Sequence, residues 1–100
     1  MSFRRLTISA AVHKGRRHVA YGMRSDGQWL VTWSYPDGSP GRFYAFADQR
    51  QAIAKARELR IFVTLLALGI ESNEALPFAA NAAPNPGAIA EIIADYMQRR

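Results

Sequence analysis

The chain contains no cysteine, which excludes a disulfide framework and any thiolate metal site. It also lacks a long apolar run. The longest, residues 61–68 with only Thr64 polar, is far short of the roughly 20 residues that a membrane helix requires. Met1 to Ala11 carries Arg4 and Arg5 without the sustained apolar stretch of a secretion signal, so a cytoplasmic location with no membrane partner is expected.

Signatures of chemistry are missing as well. The glycines at 15, 22, 27, 38, 41, 69 and 87 are scattered among turn-like positions and form no phosphate-cradling loop. No GxSxG, HExxH or DxDxDG pattern occurs, and each of those spacings is what its chemistry needs. The carboxylates fall singly, and only Glu71 and Glu74 share a helix end, where they read as a solvated terminus rather than an acid–base pair. The expectation is therefore a non-enzymatic chain with no cofactor and no metal site.

What is present is an ordinary folded composition: 49% hydrophobic and 21% charged residues in 100, a length that fits one domain. The net charge of +5 is unevenly placed. Residues 1–50 hold eight Lys or Arg against three Asp, giving +5, and residues 51–100 hold five basic and five acidic residues, giving zero. Met1 to Arg24 contains six basic residues, both histidines and no acid. Eleven of the thirteen cations are arginine, whose planar fork suits phosphate or carboxylate where lysine offers a point charge.

Alternation in the first half reads as strands. In Arg5 to His13, Leu6, Ile8, Ala10 and Val12 lie on one face. Lys14-Gly15-Arg16-Arg17 then reads as a four-residue turn that sets Val12 opposite Val19 and His13 opposite His18. A three-residue turn at Ser25-Asp26-Gly27 sets Met23 opposite Trp29. Both pairings keep the apolar faces together. The fold class expected is α+β: an antiparallel four-stranded meander (about 5–13, 18–24, 28–35 and 42–46), with a long helix (48–68) and a C-terminal helix (86–98) packed on one face.

Asp48, with Gln51 three residues on, makes a capping box for the long helix, and Gly69 is its stop. Residues 61–68 are apolar on every side. This half-helix is wrapped by the rest of the chain, meets a partner, or forms a further strand; a continuous helix is the favoured reading. Residues 73–85, with Pro77, Pro84 and several alanines, read as an irregular connection. Asn85 as cap and Pro86 in the first turn open the last helix, and Arg99 and Arg100 suit its carboxyl end.

On the meander, Trp29, Val31, Trp33 and Tyr35 are expected to face the helices. The opposite face then bears Arg5, Thr7, Ser9, His13, His18, Arg24, Gln28, Thr32 and Ser34, a cationic, hydroxyl-rich surface without an acid. Cations and hydroxyls of this kind suit a phosphate backbone. His13 and His18 alone are too few ligands for a metal.

From Tyr21 to Leu59 the order of signals resembles two related DNA-binding modules, the arm-binding domain of tyrosine recombinases and the ethylene-response-factor domain. Gly27, Gln28, Trp29, the turn Asp37-Gly38, Phe46 and Ala52 fall where that pattern wants them. The resemblance implies three strands and a helix, with the sheet laid in the major groove and Arg24 and Arg42 at DNA-contacting positions. Gln28, Leu30, Thr32 and Ser34 stand where that family tends to place charged residues. A leading strand and a second helix fall outside the pattern.

Two functions are expected from these readings. One is a nucleic-acid-binding module, for DNA or RNA, using Arg5, His13, Lys14, Arg16, Arg17, His18, Arg24 and Arg42. The other is a protein-interaction adaptor or inhibitor, of the kind a mobile element encodes, that docks on an acidic partner or a second copy of itself through Ile61, Phe62, Leu65 and Leu68.

Overall fold

The computed structural model describes the backbone of residues 3–84 and 89–99, and their side chains from Ile8 onward except Ser9. The elements run α1 (Phe3–Arg17), β1 (Val19–Met23), β2 (Trp29–Trp33), β3 (Tyr44–Phe46), α2 (Gln49–Ala67), α3 (Ser72–Ala82) and α4 (Ile89–Arg99). The class is α+β as expected. The sheet is antiparallel with order β1-β2-β3, three strands instead of four.

The expected first strand is helix α1. Period two and a helical stripe share the positions Ile8 and Val12, so alternation alone could not separate them. The stripe that is buried is Ile8, Ala11 and Gly15, with Val12 half-buried beside it, which is i, i+3, i+7 and i+4 of a helix. Gly15, read as part of a turn, lies within the last turn of α1 and serves close packing. A Cβ there would collide with the Thr64 hydroxyl of α2. Val12 therefore does not face Val19, and His13 does not face His18.

The hairpin of β1 and β2 has the expected register, Met23↔Trp29 through Val19↔Trp33. Its turn closes by Gly27 N–H donating to the Arg24 carbonyl at 2.9 Å and Arg24 N–H donating to Gln28 at 2.7 Å. Gly27 takes φ 87°, the left-handed position that a three-residue loop of this kind requires. The connection from β2 to β3 repeats the device: Gly38 (φ 91°) closes onto the Tyr35 carbonyl.

Beyond that turn the ladder shifts. Between the pairs Ser34↔Pro40 and Val31↔Tyr44 lie two residues on one strand and three on the other, which is a β-bulge. Trp33 anchors it, since its indole Nε1–H donates to the Arg42 carbonyl at 2.7 Å. Gly41 is packed so tightly on the indole that a Cβ would overlap the ring. Phe43, within the bulge, is left 60% exposed.

Helix α2 is the element on which the others are assembled, packing against α1, α3 and all three strands. Asp48 caps it by accepting the Arg50 N–H at 3.1 Å, one position earlier than a capping box places that bond. The helix runs unbroken through Ala67, so residues 61–67 are not a strand. Ile61 and Leu65 are 0% and Phe62 6% exposed, and Leu68 is half-buried against the same core. Phe62 meets Trp33 edge-on at 5.7 Å, and Val31 is wholly buried beside it. A helix apolar on every side is one surrounded by its own chain, and that replaces the interface reading of Ile61, Phe62, Leu65 and Leu68.

The expected irregular connection contains α3 instead. Ala75, Ala79 and Ala82 are buried at helical spacing against α2. Pro77 stands inside this helix at the cost of the one hydrogen bond its missing N–H would have made to residue 73. Phe78 of α3 packs on Tyr96 of α4 at 4.3 Å, and Ile93 is fully buried. The expected cap Asn85 and Pro86 lie outside the described residues, as does Arg100.

If residues 61–65 belong to the core, Phe62→Asp should abolish cooperative thermal unfolding, a loss of about 4 kcal/mol or more for a charge replacing a buried ring. Leu76→Asp, at a position 50% exposed, should shift stability by no more than about 0.5 kcal/mol. A folded Phe62→Asp chain would contradict the packing described.

Candidate functional site

The final turn of α1 carries Lys14, Arg16 and Arg17, all exposed. The free carbonyls of a helix end favour cations locally. Arg16 follows Gly15, so the contact that docks α1 on α2 also fixes where Arg16 emerges. Val12 and Arg16, four apart, share one face of α1. Across from them α2 presents Arg57, Arg60 and Thr64 at i, i+3 and i+7, again one face. With Ile89 at the start of α4, these six residues line a groove of about 400 Å³.

The groove is unbalanced in charge. Among the described residues its lining contains three arginines and no acid. The ion pairs formed among the described residues are Arg24–Asp26 at 2.6 Å, Lys55–Glu58 at 3.2 Å and Arg99–Asp95 at 3.1 Å, and none of them involves Arg16, Arg57 or Arg60. The Nε–H of Arg60 is shielded from solvent and meets no acceptor, a donor state that costs about 1–3 kcal/mol when left unmet. Thr64, 1% exposed, donates its hydroxyl to the Arg60 carbonyl at 2.7 Å and makes no bond to that Nε–H.

The other expected site residues are dispersed. His13 is exposed on α1. His18 is engaged at the other side of the helix end, its Nδ1 2.6 Å from the Ser34 hydroxyl. Arg24 lies at the tip of the first hairpin, where its Nε and Nη2 donate side-on to the Asp26 carboxylate. The basic face expected to be free of acid is thus neutralised there. Arg42 is exposed in the bulge. Arg5 lies in α1, and its side chain is outside the described residues. Among the described residues no three His, Asp or Glu are grouped closely enough to hold a metal ion.

The open face of the sheet is nearly neutral. It bears Ala20, Gly22, Leu30, Thr32 and Ala45, judged from the alternation of buried and exposed positions and the register. With α1 a helix, Thr7, Ser9 and His13 do not extend it.

The positive charge concentrates on the helices instead. Arg57 and Arg60 were missed because a helix that carries charges beside an apolar stripe reads as solvated. The signal that could have found them is Thr64, a polar residue within an apolar run that continues their stripe at i+7.

The strand order and the helix that follows are those the resemblance over Tyr21 to Leu59 implies. Comparison with protein-family models, curated proteins and solved structures finds no match for this chain.

The hairpin tip offers a titration check. The Arg24 side chain, and next the Gln28 backbone N–H, hold the Asp26 carboxyl down to about 2. A carboxylate depressed in the folded state stabilises it above the ordinary carboxylate range and loses that contribution as pH falls toward 2. Following the Asp26 side-chain carbon by NMR should give a midpoint near 2, rising toward 3.8 in Arg24→Ala. An unchanged midpoint in the variant would show that the pair does not form.

Proposed function

We propose that this chain is a non-enzymatic module that binds nucleic-acid phosphates through the basic surface where α1 meets α2. The observation that carries the reading is the convergence of Arg16, Arg57 and Arg60 in one groove whose lining, among the described residues, holds no acid, with Lys14 and Arg17 exposed on the adjoining turn. Unpaired cations on packed helices supply the sequence-independent part of such binding by displacing condensed counterions. The neutral open face of the sheet and the Arg24–Asp26 pair favour the helical surface over the sheet as the phosphate contact.

The adaptor reading loses the segment that motivated it, since Ile61, Phe62 and Leu65 are core. A protein partner would need a different surface.

Fluorescence anisotropy with a labelled DNA duplex and an RNA single strand, across a salt series, checks the proposal. Affinity should fall linearly on logarithmic axes as salt rises. The double change Arg16→Ala, Arg17→Ala should flatten that slope by roughly 1.4–1.8, at about 0.7–0.9 per lost phosphate contact. Arg99→Ala, whose partner is Asp95, should leave it unchanged. Binding to neither polymer, or binding indifferent to salt, would overturn the reading.

A further inference from the structure

We infer that the groove between α1, α2 and the start of α4 is a built site for one phosphate group, with Arg16, Arg57 and Arg60 as its donors. The inference rests on the nucleic-acid reading and goes beyond it, from a basic surface to a single seat.

Geometry distinguishes the seat from a diffuse patch. Arg57 and Arg60 project from one face of α2, and Arg16 faces them from α1. Both helices are held at the crossing where Gly15 lies against Thr64 and the Arg60 carbonyl. A flexible loop would have to order its backbone on binding; here the helices that carry the cations are already packed, and only side chains need turn. The volume of about 400 Å³ accommodates a small ligand.

The chemistry selects phosphate over carboxylate. A carboxylate offers its two oxygens in one plane, which suits a single guanidinium fork. Three forks approaching from two helices need acceptors on several sides, and a tetrahedral oxyanion has them. The Arg60 Nε–H, without an acceptor in the protein, is the donor such a group would engage once the guanidinium turns toward the groove. Either a terminal phosphomonoester or an internal phosphodiester carries the required oxygens. The monoester brings a second charge at neutral pH.

The test uses the full chain, labelled with nitrogen-15, titrated with inorganic phosphate at constant ionic strength. The Arg60 Nε–H resonance should move saturably. Arg60→Lys, which keeps the charge but loses the fork, and Arg57→Gln should each weaken phosphate binding about tenfold, with circular dichroism confirming the fold. Arg42→Gln should bind as the parent does. Oligonucleotides of one sequence, with a 5′-phosphate or a 5′-hydroxyl, then separate the sources. Tighter binding of the phosphorylated strand, lost in Arg60→Lys, assigns the seat to a terminal phosphate. Equal binding, weakened alike in that variant, assigns it to the backbone.

No saturable shift at Arg60, or an Arg60→Lys chain that binds phosphate like the parent, overturns the site. If that chain also keeps salt-dependent oligonucleotide binding, the site falls while the nucleic-acid reading stands. A parent chain that binds inorganic phosphate but neither oligonucleotide overturns the nucleic-acid reading and keeps the seat.

Discussion

At the crossing of α1 and α2 the Gly15 backbone lies against the Thr64 side chain and the Arg60 carbonyl, with no room for a Cβ between them. That close approach lets the thin stripe of α1, Ile8, Ala11 and Val12, reach the core. It also sets exposed Arg16 on the groove that Arg57 and Arg60 line. Thr64 is tied back to the Arg60 carbonyl, a bond that satisfies its hydroxyl within its own helix. One helix–helix contact therefore sets both the packing of the N-terminal segment and the concentration of positive charge.

The rest of the fold serves to hold α2 in place. The sheet supplies Val31 and Trp33 to one side of the helix, with Trp33 edge-on to Phe62. The bulge beyond β2 is locked by the same indole through the Arg42 carbonyl. The small residues of α3 close another side. With α2 surrounded in this way, its apolar half is spent on the core, and its remaining polar stripe is what faces α1. Lys55 on α2 is occupied locally, paired with Glu58 and 4.8 Å above the Tyr44 ring. None of the ion pairs among the described residues engages the arginines of the groove.

Much of the middle of the chain was legible. The Met23–Trp29 register follows from a three-residue turn with glycine at its end, and Asp48 marks the start of α2. Both are local signals with one steric or hydrogen-bonding cause. The last helix was legible too, expected over 86–98 and observed as α4; the leading segment and the stretch that forms α3 were not. In α1 the residues at 8 and 12 satisfy both periods, and Gly15 signals a turn unless the residue it meets across the interface is known. In α3 the proline argued against a helix that tertiary packing of Ala75, Ala79 and Ala82 nevertheless holds. The same limit applies to the site. Lys14, Arg16 and Arg17 stood out as cations, but their pairing with Arg57 and Arg60 depends on a helix crossing that sequence spacing does not encode.

The docking of α1 is open to direct measurement by NMR. Carbon chemical shifts for residues 3–17 should be helical throughout, and nuclear Overhauser contacts should connect the Gly15 α-protons to the Thr64 methyl group. Extended-strand shifts over residues 5–13, with cross-strand contacts between His13 and His18, would contradict the account and dissolve the groove with it.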